Sequence, residues 1–193
     1  MNTNVEKPQR EIHCATVCFF VKQAQTANDP SWVYLAVKGT KLGKGFRNGY
    51  GGHIDPNETA RKCTAREVFE ETDGGVIVDP NLLRYVALGE FTTNNEDGTQ
   101  TIFKVNFFLA EQWRGEFRDT PAMFDGKWYR IDQLPLDELM PDNRQWLGEV
   151  LKNNLNFERT GRCYLIEATY GPRRESLVKD VVLTALNRKV WLD

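Results

Sequence analysis

Three glutamates, Glu67, Glu70 and Glu71, stand at positions i, i+3 and i+4 of a stretch with helical periodicity, directly behind Arg66. At about 100° per residue they share one helix face. Like charges at that spacing repel by roughly 0.2–0.5 kcal/mol per pair. They also fall in the last two turns, where the helix macrodipole disfavours negative charge by ~0.3–1 kcal/mol each. One arginine cannot neutralise three carboxylates, whereas a hard divalent cation, magnesium or manganese, is suited to oxygen ligands. An isolated E-x-x-E-E run reads better as a solvated acidic face. The text upstream changes that reading: Lys38 to Asp55 holds six glycines among eighteen residues. Glycine carbonyls can enter a coordination sphere, and a backbone without Cβ lets phosphates come close.

These groups need elements to hold them. Ile12 to Val21 reads as a strand that is apolar on both faces and therefore central. Trp32 to Val37 is its hairpin partner across the polar stretch Gln23 to Pro30, and the glycine-rich loop follows. Asn57 to Thr72 is a helix with Asn57 as N-cap, an apolar side of Ala60, Ala65, Val68, Phe69 and Thr72, and a stop at Gly74-Gly75. Leu82 to Phe91 and Thr101 to Leu109 are strands around an Asn-Asp-Gly turn, and Lys127 to Ile131 is a short strand. Asn143 to Asn153 is a second helix, and Arg162 to Thr169 with Ser176 to Leu183 is a final strand pair. Strands dominate and the helices fall on different sides of the text, which indicates an α+β sandwich.

The stretch from Gly52 to Glu71 resembles the Nudix box, G-x5-E-x7-R-E-U-x-E-E-x-G-U with U a bulky aliphatic, through Gly52, Glu58, Arg66, Glu67, Val68, Glu70 and Glu71. It departs at the end, where Asp73 replaces glycine and Gly74 the last aliphatic residue. The resemblance implies a Nudix αβα sandwich with a mixed β-sheet core and a strand–loop–helix catalytic unit. It divides the chain into a mobile lead-in (1–11), a Nudix hydrolase domain (12–184) and a short C-terminal extension (185–193). It further implies Mg2+ or Mn2+ held by the Gly51 carbonyl, Glu67, Glu70 and Glu71. Arg66 orients this cluster by ion pairing, Glu58 supports the loop at the helix start, and either Glu67 or Glu71 is the base.

The similarity extends to the oxidised-purine nucleoside triphosphatase (MutT-like, 8-oxo-dGTP diphosphatase) branch, over about residues 12–183. Gly45-Phe46-Arg47-Asn48-Gly49-Tyr50-Gly51-Gly52-His53 resembles its W-N-G-F-G-G-K text, and Lys127 to Pro135 resembles W-F-x-L-D-Q-I-P. Leu139-Met140-Pro141-Asp142-Asn143 with Trp146 resembles M-W-P-D-D-x-x-W. By position the base contacts are then Asn48, Asp142 and Asn143, the wall residues Met140, Tyr50 and Trp146, and the nucleotide contacts Thr16 and Lys38. Gly51, Gly52 and His53 form the phosphate loop, with His53 in place of the usual lysine. Two of these positions also fit a purely architectural role: Asn48 as a left-handed turn residue, and Trp146 as core beside Leu147, Val150 and Leu151. Asn143 replaces the second acid and Met140 an aromatic residue. Asp125 is the nearest substitute for an acidic ligand expected before Trp128.

The implied reaction is hydrolysis of a nucleoside triphosphate, with a modified or oxidised purine foremost, to the monophosphate and pyrophosphate. The alternatives are another linked nucleoside diphosphate (a dinucleotide polyphosphate or a nucleotide sugar) or a non-catalytic nucleotide-binding module. Such modules usually lose a box carboxylate, and none is lost here. A net charge of −2 and a sequence pI of about 5.8 give no basic excess, which argues against a stable nucleic-acid complex, RNA-end processing or membrane association. No run reaches the ~18 apolar residues of a membrane span, and the polar first ten residues do not resemble a secretory signal. Cys14, Cys18, Cys63 and Cys163 lack C-x-x-C spacing and read as buried free thiols of a reducing, cytoplasmic setting. The oligomeric state has no sequence signature.

Overall fold

The computed structural model of the protein describes residues 9–155, 161–172 and 177–186. In chain order the elements are β1 (Arg10–Lys22), β2 (Trp32–Lys38), β3 (Arg47–Asn48), α1 (Ala60–Glu71), β4 (Val76–Ile77) and β5 (Arg84–Asn94). Then come β6 (Gln100–Ala110), β7 (Arg114–Gly115), β8 (Met123–Arg130), α2 (Asn143–Leu155), β9 (Cys163–Tyr170) and β10 (Val182–Leu186). One sheet runs β10-β9-β5-β6-β1-β2-β3, with β8 also paired to β2. It is mixed: β1 lies parallel to β6 and β5 parallel to β9, while the remaining pairs are antiparallel. β4 and β7 form a separate two-stranded ribbon.

The pleat explains why β1, β2 and β6 carry consecutive apolar residues in part of their length. Side chains alternate faces along a strand, and here each face meets a helix. Phe19 and Val21 of β1, Val33 and Leu35 of β2, and Phe107 and Leu109 of β6 join Trp146, Leu147, Val150 and Leu151 of α2. Their neighbours Cys18, Phe20, Tyr34, Ala36, Phe108 and Ala110 join Val68 of α1 on the opposite face. The result is the expected α+β sandwich of helix, mixed sheet and helix.

Several boundaries depart from the sequence reading. Helix α1 begins at Ala60 behind Thr59, whose side chain accepts from Lys62 N–H, rather than behind Asn57. Asn57 is used one turn earlier, in a left-handed conformation at φ 67°. Phe69, expected on the apolar side, is half exposed. Strand β8 starts at Met123, four residues earlier than its apolar run suggests, across a bulge opposite Leu35 and Val37. Gly126 lies in this strand at a place that needs glycine, since a Cβ there would stand 2.1 Å from the Tyr34 hydroxyl oxygen. The glycine-rich loop contains β3, and the last strand is Val182–Leu186 rather than Ser176 to Leu183. Residues 173–176 lie outside the described part; Leu177 makes only an isolated bridge to Tyr170. The sheet therefore runs beyond residue 184. Cys18, Cys63 and Cys163 are buried, but Cys14 is exposed.

Candidate active site

The loop after β3 is laid along β1. Thr16 N–H donates to the Gly52 carbonyl at 2.9 Å, Ile54 N–H to Cys14 at 2.9 Å, and Cys18 and Tyr50 exchange bonds of 2.7 and 3.0 Å. Thus β2 covers one end of β1 and residues 50–54 cover the other. This packing needs glycine at 51, where a Cβ would stand 2.0 Å from the Thr16 carbonyl oxygen. At Gly52 a Cβ would stand 2.4 Å from Oε2 of Glu67. The glycines therefore let the loop pass between a strand backbone and a carboxylate.

Helix α1 delivers its glutamates to this loop. Glu71 accepts from Gly51 N–H at 2.8 Å through Oε2 and from Lys38 Nζ at 3.0 Å through Oε1. The same ammonium donates to the Gly51 carbonyl at 3.2 Å. Burial raises the Glu71 pKa, and the Lys38 charge opposes that rise. Arg66 reaches Glu67 at 2.8 Å, Glu70 at 3.3 Å, Glu58 at 3.0 and 2.8 Å, and the His53 carbonyl at 3.0 Å. Paired in this way, Glu58 is held down to a pKa of about 2, chiefly by its hydrogen bonds from Arg66.

The single acidic spot expected from helical spacing is therefore split. Arg66 takes Glu67 and the exposed Glu70, and Lys38 takes Glu71. Among the described residues no three acidic, histidine or cysteine side chains form a ready metal cage. What exists is a set of oxygen donors around a charged ammonium: the Gly51 carbonyl and Glu71 on Lys38, with Glu67 pressed against Gly52. Oxygen donors already gathered on a cation fit a hard divalent ion. Asp125 is not among them, because its carboxylate pairs with Arg47 and Lys127.

Beside this cluster opens a cavity of about 260 Å³. Thr16, Lys38, Asn48, Gly51, Gly52, His53, Met140, Asp142 and Asn143 all line it, so residues from four separate stretches of sequence meet at one place. Two expected wall residues do not. Tyr50 is buried edge-on to Phe20 on the α1 side, and Trp146 is buried between Phe19 and Phe107 on the α2 side. Trp146 acts through its indole N–H, which donates to Asp142 Oδ2 at 3.1 Å. The other Asp142 oxygen accepts from the Tyr170 hydroxyl. Burial raises the Asp142 pKa while both donors pull it down. Asn48 lies in β3 rather than at a left-handed turn position, and its Oδ1 accepts from Gly49 N–H at 2.9 Å.

The cavity is lined further by Phe91 and Thr93 of β5, by Phe103, Val105 and Phe107 of β6, and by Tyr170 of β9. These were missed because aromatic residues in strands read as core. The available signal was the i, i+2 spacing, which puts each set on a single face. Lys41 and Leu42 from the loop before β3, with Ala15 and Val17 of β1, complete the lining.

The architecture is thus a mixed sheet between two helices, with a glycine loop threaded past a glutamate-rich helix. The NUDIX domain model matches residues 13–150, and the chain belongs to the NUDIX family. Similar proteins include the oxidized purine nucleoside triphosphate hydrolase of Mus musculus, 29% identical over 124 residues, or 64% of this chain and 74% of that one. The hydrolase of the same description from Danio rerio is 27% identical over 127 residues, again 64% of this chain and 74% of the relative. Among solved structures, the mutator MutT protein of Bacillus halodurans superposes with a TM-score of 0.64 at 19% identity, covering 89% of this chain and 97% of the other.

Proposed function

We propose that this NUDIX protein hydrolyses a nucleoside triphosphate, with a modified or oxidised purine as its preferred base, to the nucleoside monophosphate and pyrophosphate. One observation carries the reading. A single cavity joins the phosphate loop and Lys38 at one side to Asn48, Asp142, Asn143 and the phenylalanines at the other. A base seated there has aromatic faces to stack on, worth about 1–3 kcal/mol. It also has amide and carboxyl groups that match the donors and acceptors of a purine edge. The similarity to oxidized purine nucleoside triphosphate hydrolases supports the same substrate class.

Mg2+ or Mn2+ would be held by the Gly51 carbonyl with Glu67, Glu70 and Glu71; when bound, it polarises phosphate oxygens and lowers the pKa of an attacking water. Lys38 adds positive charge beside the phosphates and Arg66 keeps Glu67 and Glu70 oriented. Glu67 or Glu71 takes the proton of the attacking water. Met140 and Thr16 shape the cavity, with Trp146 fixing Asp142 from behind. His53 stands in the phosphate loop beside Gly51 and Gly52. The protein acts on free nucleotides of the cytoplasm and forms no stable nucleic-acid or membrane complex.

A panel of normal, oxidised and methylated purine triphosphates, pyrimidine triphosphates, dinucleotide polyphosphates and nucleotide sugars, each with magnesium, tests this. The expected result is pyrophosphate release, fastest from a modified purine triphosphate. Orthophosphate release alone, or turnover confined to dinucleotide polyphosphates or nucleotide sugars, would overturn it.

A further inference from the structure

Arg47 is one of the most buried charged side chains in the described chain, at 3% exposure. It stands outside the cavity lining, next to Asn48. Its guanidinium spans three segments distant in sequence. From β3 it donates to the backbone carbonyl of Asp125 at 2.6 Å and to the Asp125 carboxylate, at the point where β8 takes a left-handed step (φ 49°). Through Nε it donates to Glu138 at 2.6 Å, in the 3-10 turn Leu136–Glu138. The guanidinium lies 5.4 Å from the centre of the Tyr129 ring, and the Arg47 backbone bridges to Leu139.

The direction of these contacts gives Arg47 its meaning. Asn48, the next residue, lines one side of the cavity. The segment after Glu138 and Leu139 supplies Met140, Asp142 and Asn143 to the other. A planar fork with fixed donors, held on both sides, sets a distance that a flexible point charge would not. The two carboxylates it grips are surface groups, with side chains 45% and 53% exposed. Little of the fork's burial is therefore explained by packing of its partners.

We propose that Arg47 is a positioning residue for base selection: it fixes the separation of the Asn48 side and the Met140–Asn143 side of the cavity. The inference rests on the proposed nucleotide substrate for its kinetic consequence but not for its structural one. Arg47→Met removes the fork. Arg47→Lys keeps the charge and loses the second arm. Glu138→Gln and Asp125→Asn each weaken one exposed partner without disturbing the core.

The first measurement is hydrogen exchange over residues 136–143 in nucleotide-free protein. The amides of Glu138 and Leu139 are bonded within the 3-10 turn at 2.9 and 3.2 Å, and Arg144 N–H to Met140 O at 3.2 Å. Exchange there is expected to speed up in Arg47→Met and, by less, in Glu138→Gln. Unchanged exchange in both overturns the inference whatever the substrate proves to be. The second measurement is steady-state kinetics on the nucleotide panel. KM is expected to rise on the order of ten-fold in Arg47→Met with kcat within about two-fold, and discrimination between purine and pyrimidine triphosphates to fall. A fall in kcat at unchanged KM and unchanged discrimination overturns it, because that pattern belongs to the phosphate end. Should Arg47→Met fail to fold, the same KM shift, smaller in size, is expected of Glu138→Gln and Asp125→Asn, and its absence in both overturns the inference. A wild-type protein inactive on every triphosphate defeats the nucleotide reading alone, since the exchange result stands apart from it.

Discussion

The acidic residues of α1 do different work despite their similar spacing. Glu71 is partly buried and bound to the loop backbone and to Lys38; Glu67 is buried against Gly52; Glu70 is exposed and bonded by Arg66. Their substitutions should therefore rank. Glu67→Gln and Glu71→Gln are expected to cut kcat by on the order of 10²-fold or more, as loss of a metal ligand or base does. Glu70→Gln should cost less. Magnesium-dependent pyrophosphate release from the preferred triphosphate measures all three, and near-wild-type turnover of the Glu67 variant would refute the assignment. Residue types and spacing placed these three glutamates on one helix beside the glycine loop from sequence alone. The basic residues between them were harder to place: Lys38 is 33 positions from Glu71, and its bond to Glu71 depends on how β2 passes the loop. A pattern of i, i+3 and i+4 encodes proximity within a helix and nothing of the cation that arrives from another strand.

The loop and helix are joined at both ends by contacts that can be perturbed separately. At the start, Glu58 carries a pKa lowered to about 2, below the ordinary value of a free glutamate. Its pairing with Arg66 therefore stabilises the folded protein fully above about pH 4.3 and is lost as pH falls from there towards 2. Acid unfolding followed by circular dichroism should show Glu58→Gln destabilised at pH 7 relative to wild type, with the difference shrinking across that window. At the end, Asp73 sits at φ 50° directly after the helix cap Thr72, where a side chain is strained and a negative charge meets the helix C-terminus. Asp73→Gly is expected to raise stability by about 0.5–1 kcal/mol, read from the denaturation midpoint. The departure of this position from the box is thus a local cost in backbone conformation, and the helix still ends where its glutamates are needed. Element types were largely readable because β1 and β6 carry apolar runs bounded by polar turns and α2 carries a 3.6-residue period. Boundaries failed where local text misled: Asn57 looks like a cap and is a left-handed turn residue, and β8 begins at Met123, before the stretch from Lys127 that reads as a strand.

At the scale of the molecule, β1, β2 and β6 contribute alternate side chains to both cores, so neither helix layer has a sheet of its own. Unfolding should be one cooperative transition. Leu151→Ala and Val68→Ala open opposite faces, and each should cost roughly 1–5 kcal/mol and lower the same melting midpoint. Tryptophan fluorescence and far-ultraviolet circular dichroism should coincide, since Trp146 reports on one face and Trp113 and Trp128 on the other; separate transitions would show that the layers melt independently. The cavity was the least legible part of the chain, because Phe91, Phe103 and Tyr170 reach it from strands whose order in the sheet, β9-β5-β6, is not their order in sequence. The same molecule-wide view bears on how the protein responds to chelators. With the Lys38 ammonium lodged between the Gly51 carbonyl and Glu71, one of the helix's carboxylates already has a counter-charge supplied by the chain itself. With the proposed metal site, folding and ion loading would be separate events: stripping divalent ions with EDTA should silence turnover while shifting the melting temperature by no more than a few degrees, and readdition should restore activity without a refolding lag.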